Sequence, residues 1–310
     1  QLFFIISAFL TWNGLEKKSQ DWKFFYKKRL IRIIPLFYSA IIIASVIPVF
    51  RIQDISIENW LSHVLFLNGI NPMWINSIMG IEWYIADLAI FYFITPLLWK
   101  ITQNLKNSLL VFCFSVVMSS LTLILYNRFI ESDNISIKMY FETFLFIHQF
   151  PVIMMGIILF HLIKKLDNKK LWKLLIFLGI GIIFITILFI VLHLDKNYLT
   201  NSFIAGLYFS WLFLIIWQLN LFENSLLKPL AFIGTHSFGI YCFHQIVINC
   251  VSKLITLQFS LNTFSVWCLT FGIIVLISIL TGYIMETLQD ILLRKIIHIK
   301  NNHNFSIHKK

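Results

Sequence analysis

Tyr26-Lys27-Lys28-Arg29-Leu30-Ile31-Arg32-Ile33-Ile34-Pro35-Leu36-Phe37-Tyr38 is a basic cluster that runs straight into an apolar segment extending to Phe50. A membrane helix with such a flank is oriented by it, because Lys and Arg resist translocation and stay in cytoplasmic loops. The stretch therefore predicts a membrane span whose basic entrance faces the cytoplasm. Arg29 and Arg32 are three residues apart, so on a helical turn they share one face and have the geometry to grip phosphates. Basic residues at a cytoplasmic entrance also bind lipid headgroups and obey the positive-inside rule with no ligand at all. The spacing leaves both readings open.

The rest of the chain agrees with that class. It is 310 residues long, 59% hydrophobic, 17% aromatic and only 13% charged, which is more apolar side chain than a soluble domain could bury. The expected fold is an all-α integral membrane protein, a polytopic helix bundle. Apolar runs long enough to cross about 30 Å of hydrocarbon lie near residues 2–12, 33–50, 83–101, 108–127, 144–163, 172–192, 203–222, 232–252 and 264–284. That makes nine visible spans, the first one short. With residues 13–32 inside, roughly four-fifths of the Lys and Arg fall on inner loops and the C-terminal tail, as the positive-inside rule requires. The net charge of +11 is then a topology signal and not a nucleic-acid footprint. Gln1 is not a translation start, and the first run must cross from outside to inside. A tenth span is therefore expected ahead of it in the intact protein, with both termini cytoplasmic. Residues 1–290 read as a transmembrane domain lacking its first helix, and residues 291–310 as a basic, solvated cytoplasmic tail.

Cys113, Cys242, Cys250 and Cys268 all lie within expected spans without metal-ligand or CxxC spacing, so they read as small apolar side chains of a bundle. No metal site and no bound cofactor are expected. There is no Gly-rich phosphate loop, HExxH or GxSxG, and no internal repeat of the transporter kind. The longest polar connection, residues 51–82, is placed outside, with a short apolar stretch at 64–67 lying at the interface.

Ionisable groups inside hydrocarbon are the natural candidates for function, since an unpaired one costs several kcal/mol there. Asp87 is the plainest, about one turn below the outer mouth of its span, with Trp83 one turn above it on the same face. Glu82 reads either as a capping carboxylate at the helix start, where it complements the dipole, or as a functional group. His244 falls past the midplane of its span, and Tyr241 shares its face. It is either a structural donor between helices or a residue that works on substrate. Asp87 and His244 both sit in the outer half of their spans and are expected to face one interior pocket. His148 lies near the outer end of its span and His236 near an inner mouth. His63, His193 and the tail histidines read as solvent or interface residues.

Several of these motifs resemble one family, the membrane-bound acyltransferase 3 family, best known for O-acetylating bacterial cell-surface polysaccharides. Leu2-Phe3-Phe4-Ile5-Ile6-Ser7-Ala8-Phe9-Leu10 resembles its second helix, FF-x-x-SGF, with Ala8 where glycine is usual. Residues 29–35 look like its RRxxRIxP loop, and Trp83 to Tyr92 followed by Pro96-Leu97-Leu98 is similar to W-x-L-x-x-E-x-x-FY-x-x-x-PLL. Gly234 to His244 follows G-x-x-SYGIYLxH, and Glu286 sits where many members carry a glutamate ending the last helix. Two departures stand out. The paired glutamates of the third segment are replaced by Leu88 and Ala89, with Asp87 one position earlier, and the family's first helix, with the histidine thought to be catalytic, has no counterpart in this chain.

The resemblance implies an acyltransferase for groups other than amino-acyl groups. It would take an acetyl or similar short acyl group from cytoplasmic acyl-CoA and deliver it to a hydroxyl of a cell-surface or exported glycan. Arg29 and Arg32 would hold the CoA phosphates, and Asp87 and His244 would serve the acceptor. Glu82, Trp83, Tyr241, His148 and Glu286 would support them. The partners implied are acyl-CoA, a glycan or lipid-linked glycan, and the bilayer of the cytoplasmic membrane; no nucleic acid is implied. The same architecture also suits a glycan or lipid exporter, or a non-catalytic scaffold of polysaccharide synthesis. A histidine in a preceding apolar span discriminates transfer from these alternatives.

Overall fold

The computed structural model describes residues 1–17, 21–47, 55–130, 133–166, 168–191, 198–219, 227–256 and 264–307. Among them are twelve α-helices and no strand. In order these are α1 Leu2–Lys17, α2 Trp22–Val46, α3 Ile57–Val64, α4 Trp83–Ile101, α5 Leu105–Phe129, α6 Ile135–Met139, α7 Phe146–Lys165, α8 Asn168–Val191, α9 Tyr198–Gln218, α10 Lys228–Thr235, α11 Ser237–Thr256 and α12 Phe264–Ile307. A 3-10 turn at Asn68–Ile70 and a π-helical turn at Tyr140–Phe144 complete the set.

The helices form because their apolar runs must satisfy every peptide group internally once water is excluded. Their packing is inside-out relative to a soluble bundle. On α5 the buried residues are Ser108, Ser115, Ser119 and Tyr126, while Leu110, Phe114, Val117 and Ile124 face outward. On α4 Asp87 is 1% exposed and Phe93 is 78% exposed. Small and polar side chains between helices with apolar ones outside is the arrangement of a protein surrounded by lipid. The chain is a multi-pass membrane protein.

Among the described residues, five helical segments are long and apolar enough to span: Trp22–Val46, Trp83–Ile101, Leu105–Phe129, Ile135–Lys165 and Cys268–Arg294. Five of the expected nine are thus found among these residues. The run at 2–12 lies in a helix of 16 residues. The run expected at 232–252 is broken at His236 into α10 and α11, and α11 is diluted by His244, Gln245, Asn249 and Lys253. The runs at 172–192 and 203–222 are helical but reach beyond the described residues; Ser202–Gln218 is apolar and shorter. The connection at 51–82 is likewise more than a loop, for it holds α3 and the 3-10 turn. Beyond residue 290, α12 continues unbroken to Ile307.

The contacts divide into two units. One comprises Gln1–Tyr26, Glu58–Asn76 and Glu82–Ser225, the other Lys27–Ile57, Ser77–Ile81 and Leu226–Lys310. In the first unit α1 lies against α7 where Gly156 has no side chain. A Cβ there would collide with the Ile5 carbonyl oxygen and lie 2.8 Å from Ala8 Cβ, so the small residues set the crossing. Trp12 stacks on Phe91 at 6.2 Å and Phe4 packs on Tyr84 at 4.7 Å, which fixes α4 against α1. In the second unit α11 crosses α12.

Candidate functional site

The second unit builds its site from a helix entrance and two glycines. Pro35 lies inside α2 and has no N–H, so the carbonyl of Ile31 loses its intrahelical donor. Gln289 of α12 supplies one, its Nε2 donating to the Ile31 oxygen at 2.8 Å. The bond joins α12 to the turn of α2 that carries half-buried Arg29 and exposed Arg32. Glu286 lies three residues back along α12, about 4.5 Å of rise.

Glu286 reaches the start of α11 because Gly239 and Gly282 let the helices touch. A Cβ on Gly239 would stand 2.7 Å from the Gly282 oxygen, and one on Gly282 would stand 2.5 Å from the Ile240 nitrogen. With that approach, Glu286 Oε1 accepts from the Gly239 backbone N–H at 2.7 Å, satisfying one of the orphan donors of a helix N-terminus at its positive end. Its other oxygen, Oε2, lies 2.8 Å from His236 Nδ1. The imidazole is held further by Phe232 at 4.7 Å and by Tyr283 at 5.0 Å, edge-on. Nδ1 donates to the carboxylate, so the neutral ring carries its lone pair on Nε2.

Two turns along α11, His244 Nδ1 donates to the Tyr241 carbonyl at 2.6 Å, which again leaves Nε2 as the acceptor. The Tyr241 hydroxyl donates to the Ile81 carbonyl, so Tyr241 ties α11 to the segment preceding α4.

The first unit collects polar groups around the start of α4. Asp87 is buried, and its Oδ2 has no hydrogen-bond partner among the described residues. It lies close enough to Tyr140 of the π turn to act on it electrostatically. The Tyr140 hydroxyl donates to the Gly69 carbonyl at 2.8 Å. Trp83, one turn before Asp87, packs on Phe144 at 5.2 Å and Phe4 at 5.8 Å, and its backbone N–H donates to Asn76 Oδ1 at 3.0 Å. His148 is buried with Nδ1 2.8 Å from Ser119 Oγ.

Glu82 stands at the N-cap position of α4, and its side chain makes no capping hydrogen bond. It is fully buried, with Oε1 3.9 Å from Nε2 of an equally buried His63. His63 is thus no solvent or interface residue: α3 turns Asn59, Ser62 and His63 inward and leaves Ile57 and Leu61 outside. His63 Nδ1 donates to the Asn59 carbonyl at 2.9 Å, so Nε2, facing Glu82, bears the lone pair. Burial pushes the imidazole below its ordinary value of 6.5, against the opposing pull of the Glu82 carboxylate and the Asn59 bond, and the ring is neutral at pH 7.

The expected site residues thus separate into two groups. Arg29, Arg32, Tyr241, His244 and Glu286 belong to the second unit; Glu82, Trp83, Asp87 and His148 belong to the first. His236 and His63 are additions, each identified by a carboxylate on another segment that sequence spacing does not pair. His193 and His308 lie outside the described residues. Among the described residues no group of three or more His, Cys, Asp or Glu could hold a metal ion.

Helices that bury carboxylates and histidines while exposing leucine and phenylalanine define a multi-pass membrane protein with chemistry-bearing groups between its helices. Residues 1–283 match the family model described as an acyltransferase domain, and the chain belongs to the acyltransferase 3 family. It is accordingly an acyltransferase acting on groups other than amino-acyl groups. No curated protein and no solved structure matches it.

Proposed function

We propose that the protein is an O-acyltransferase that moves an acetyl or similar short acyl group from cytoplasmic acyl-CoA to a hydroxyl of a cell-surface or exported glycan. The observation that carries this reading is the entrance of α2. There Arg29 and Arg32 sit on either side of Ile31, whose carbonyl is pinned to α12 by Gln289. Two guanidinium groups on an anchored turn suit the phosphates of a CoA-type donor by bidentate, charge-assisted bonding. In this reading the basic entrance and the C-terminus lie in the cytoplasm, the enzyme resides in the cytoplasmic membrane, and acyl-CoA is a substrate and not a resident cofactor. Asp87 in the first unit, an orienting carboxylate, and His244 in the second, a base, are each candidates for work on the acceptor hydroxyl, and each is tested on its own.

The test replaces Arg29 and Arg32 together by lysine, which keeps charge and topology and removes the planar fork. Glycan acylation, read as base-labile acyl groups on the glycan, is expected to fall by at least about tenfold, the scale of one lost charge-assisted contact. Membrane insertion is expected to stay unchanged. Normal acylation by the double variant would reduce the arginines to topology markers.

A further inference from the structure

The pair formed by His236 and Glu286 has no part in the reading above, yet it has the form of an activated side chain. Glu286 spends one oxygen on the Gly239 N–H at 2.7 Å and the other on His236 Nδ1 at 2.8 Å. The carboxylate is thereby fixed by a helix terminus, and the imidazole by the carboxylate. Two aromatic rings bracket the imidazole, while 21% of its side chain stays accessible. Nε2 has no hydrogen-bond partner among the described residues. A carboxylate that holds Nδ1–H and leaves Nε2 presented is the arrangement that makes a histidine a base or nucleophile. Its level in the unit is also set, because Gln289, one turn beyond Glu286, bonds the carbonyl between Arg29 and Arg32.

We propose that His236 takes the acyl group from the donor before any acceptor is reached, as an acyl relay at the donor site. This rests on the acyl-CoA reading. A CoA molecule carries several phosphate charges that do not enter hydrocarbon, so the phosphates stay at the mouth with the arginines, and the uncharged arm of the donor is what carries the thioester to His236. The Nε2 lone pair attacks the thioester carbonyl, the N–C bond forms, and the C–S bond breaks with its electron pair leaving on the CoA thiolate. The Nδ1 proton passes to Glu286, which leaves a neutral acyl-imidazole. An acceptor hydroxyl oxygen then attacks the acyl carbon, and the N–C pair returns to Nε2. The hydroxyl proton leaves to solvent, and Glu286 gives its proton back to Nδ1. The net change is thioester plus alcohol to ester plus thiolate and one proton.

The experiment uses the purified full-length protein in lipid nanodiscs with radiolabelled acetyl-CoA, with and without the acceptor glycan. Without glycan, the wild type is expected to release about one CoA per protein in a burst and to carry a hydroxylamine-labile label at His236. His236→Gln keeps a donor for Glu286; it is expected to carry no label and to release CoA roughly 100-fold more slowly. Glu286→Gln is expected to slow labelling while leaving the label on His236. Thermal melting of each variant separates loss of chemistry from loss of fold, and a His236→Gln protein that melts as the wild type and still takes up label refutes the relay. A wild type that acylates the glycan without ever carrying label overturns the relay alone. A wild type that leaves acetyl-CoA intact in the presence of glycan overturns the proposed function with it.

Discussion

Replacing Gly282 by alanine tests whether the crossing of α11 and α12 is what assembles the second unit's site. The new Cβ would stand 2.5 Å from the Ile240 nitrogen, 2.6 Å from its Cγ1 and 2.8 Å from its Cα. Two of these atoms are backbone, so no flexible side chain can yield, and the helices must separate by about 1 Å to restore ordinary contact. A displacement of that size would stretch the 2.7 Å bond from Gly239 N–H to Glu286 to about 3.7 Å, beyond hydrogen-bonding range. Overpacking of this kind costs about 1–3 kcal/mol, and losing a backbone hydrogen bond to a charged acceptor adds about 1.5–3 kcal/mol. Alanine's better helix propensity returns up to about 1 kcal/mol, so the net loss is about 1.5–6 kcal/mol. Reversible unfolding in mixed micelles measures it. Gly272→Ala on the same helix is the control, since a Cβ there meets nothing within 4 Å, and it is expected to be neutral or slightly stabilising. If Gly282→Ala unfolds no more easily than Gly272→Ala, the two glycines do not hold the helices together and the positioning of His236 by Glu286 needs another cause.

The first unit and α11 supply the remaining expectations. Asp87→Asn keeps the shape of a fully buried side chain and removes its charge. Glycan acylation is expected to fall about 100-fold or more if the carboxylate serves the acceptor, with the yield of folded protein unchanged; His244→Gln should behave the same way, and full acylation by both variants returns the residues to a structural role. His63 carries a pH signature. Because its folded pKa lies below the ordinary 6.5, the unfolded chain binds the proton more readily, and the neutral ring's contribution to stability is intact above that value and lost as pH falls below it. Melting temperature should therefore decline between pH 7 and 5, and His63→Gln should flatten that part of the profile; an unchanged slope would mean other groups set it.

The class and the helices that carry the candidate residues were legible in the sequence, for identifiable reasons. The basic entrance at residues 26–32, the intramembrane Asp87 and the helix bearing Tyr241 and His244 are all local patterns, and each is helical where expected. The span boundaries are harder to read where composition changes gradually. His236 interrupts an apolar run without a proline or a charge to mark the break, so residues 232–252 look continuous until the chain is folded. The pairings of His63 with Glu82 and of His236 with Glu286 join residues 19 and 50 positions apart. No helical spacing rule reaches so far.

Reading α3 shows why burial was misjudged. In water, Ile-Glu-Asn-Trp-Leu-Ser-His-Val would turn Ile57, Leu61 and Val64 inward and leave His63 solvated. Here Asn59, Ser62 and His63 are the buried face, while Ile57 is 79% exposed. Turned inward, His63 finds the Asn59 carbonyl and the Glu82 carboxylate, and partners of that kind are what a buried polar side chain requires. Polar residues then mark the inside, and the same inversion puts the serines of α5 between helices and its phenylalanine outside. Applied to α11 and α12, that rule ranks His236 above the apolar residues around it as an inward-facing group. Gly239 and Gly282 supply the close approach that lets a carboxylate from the neighbouring helix reach it.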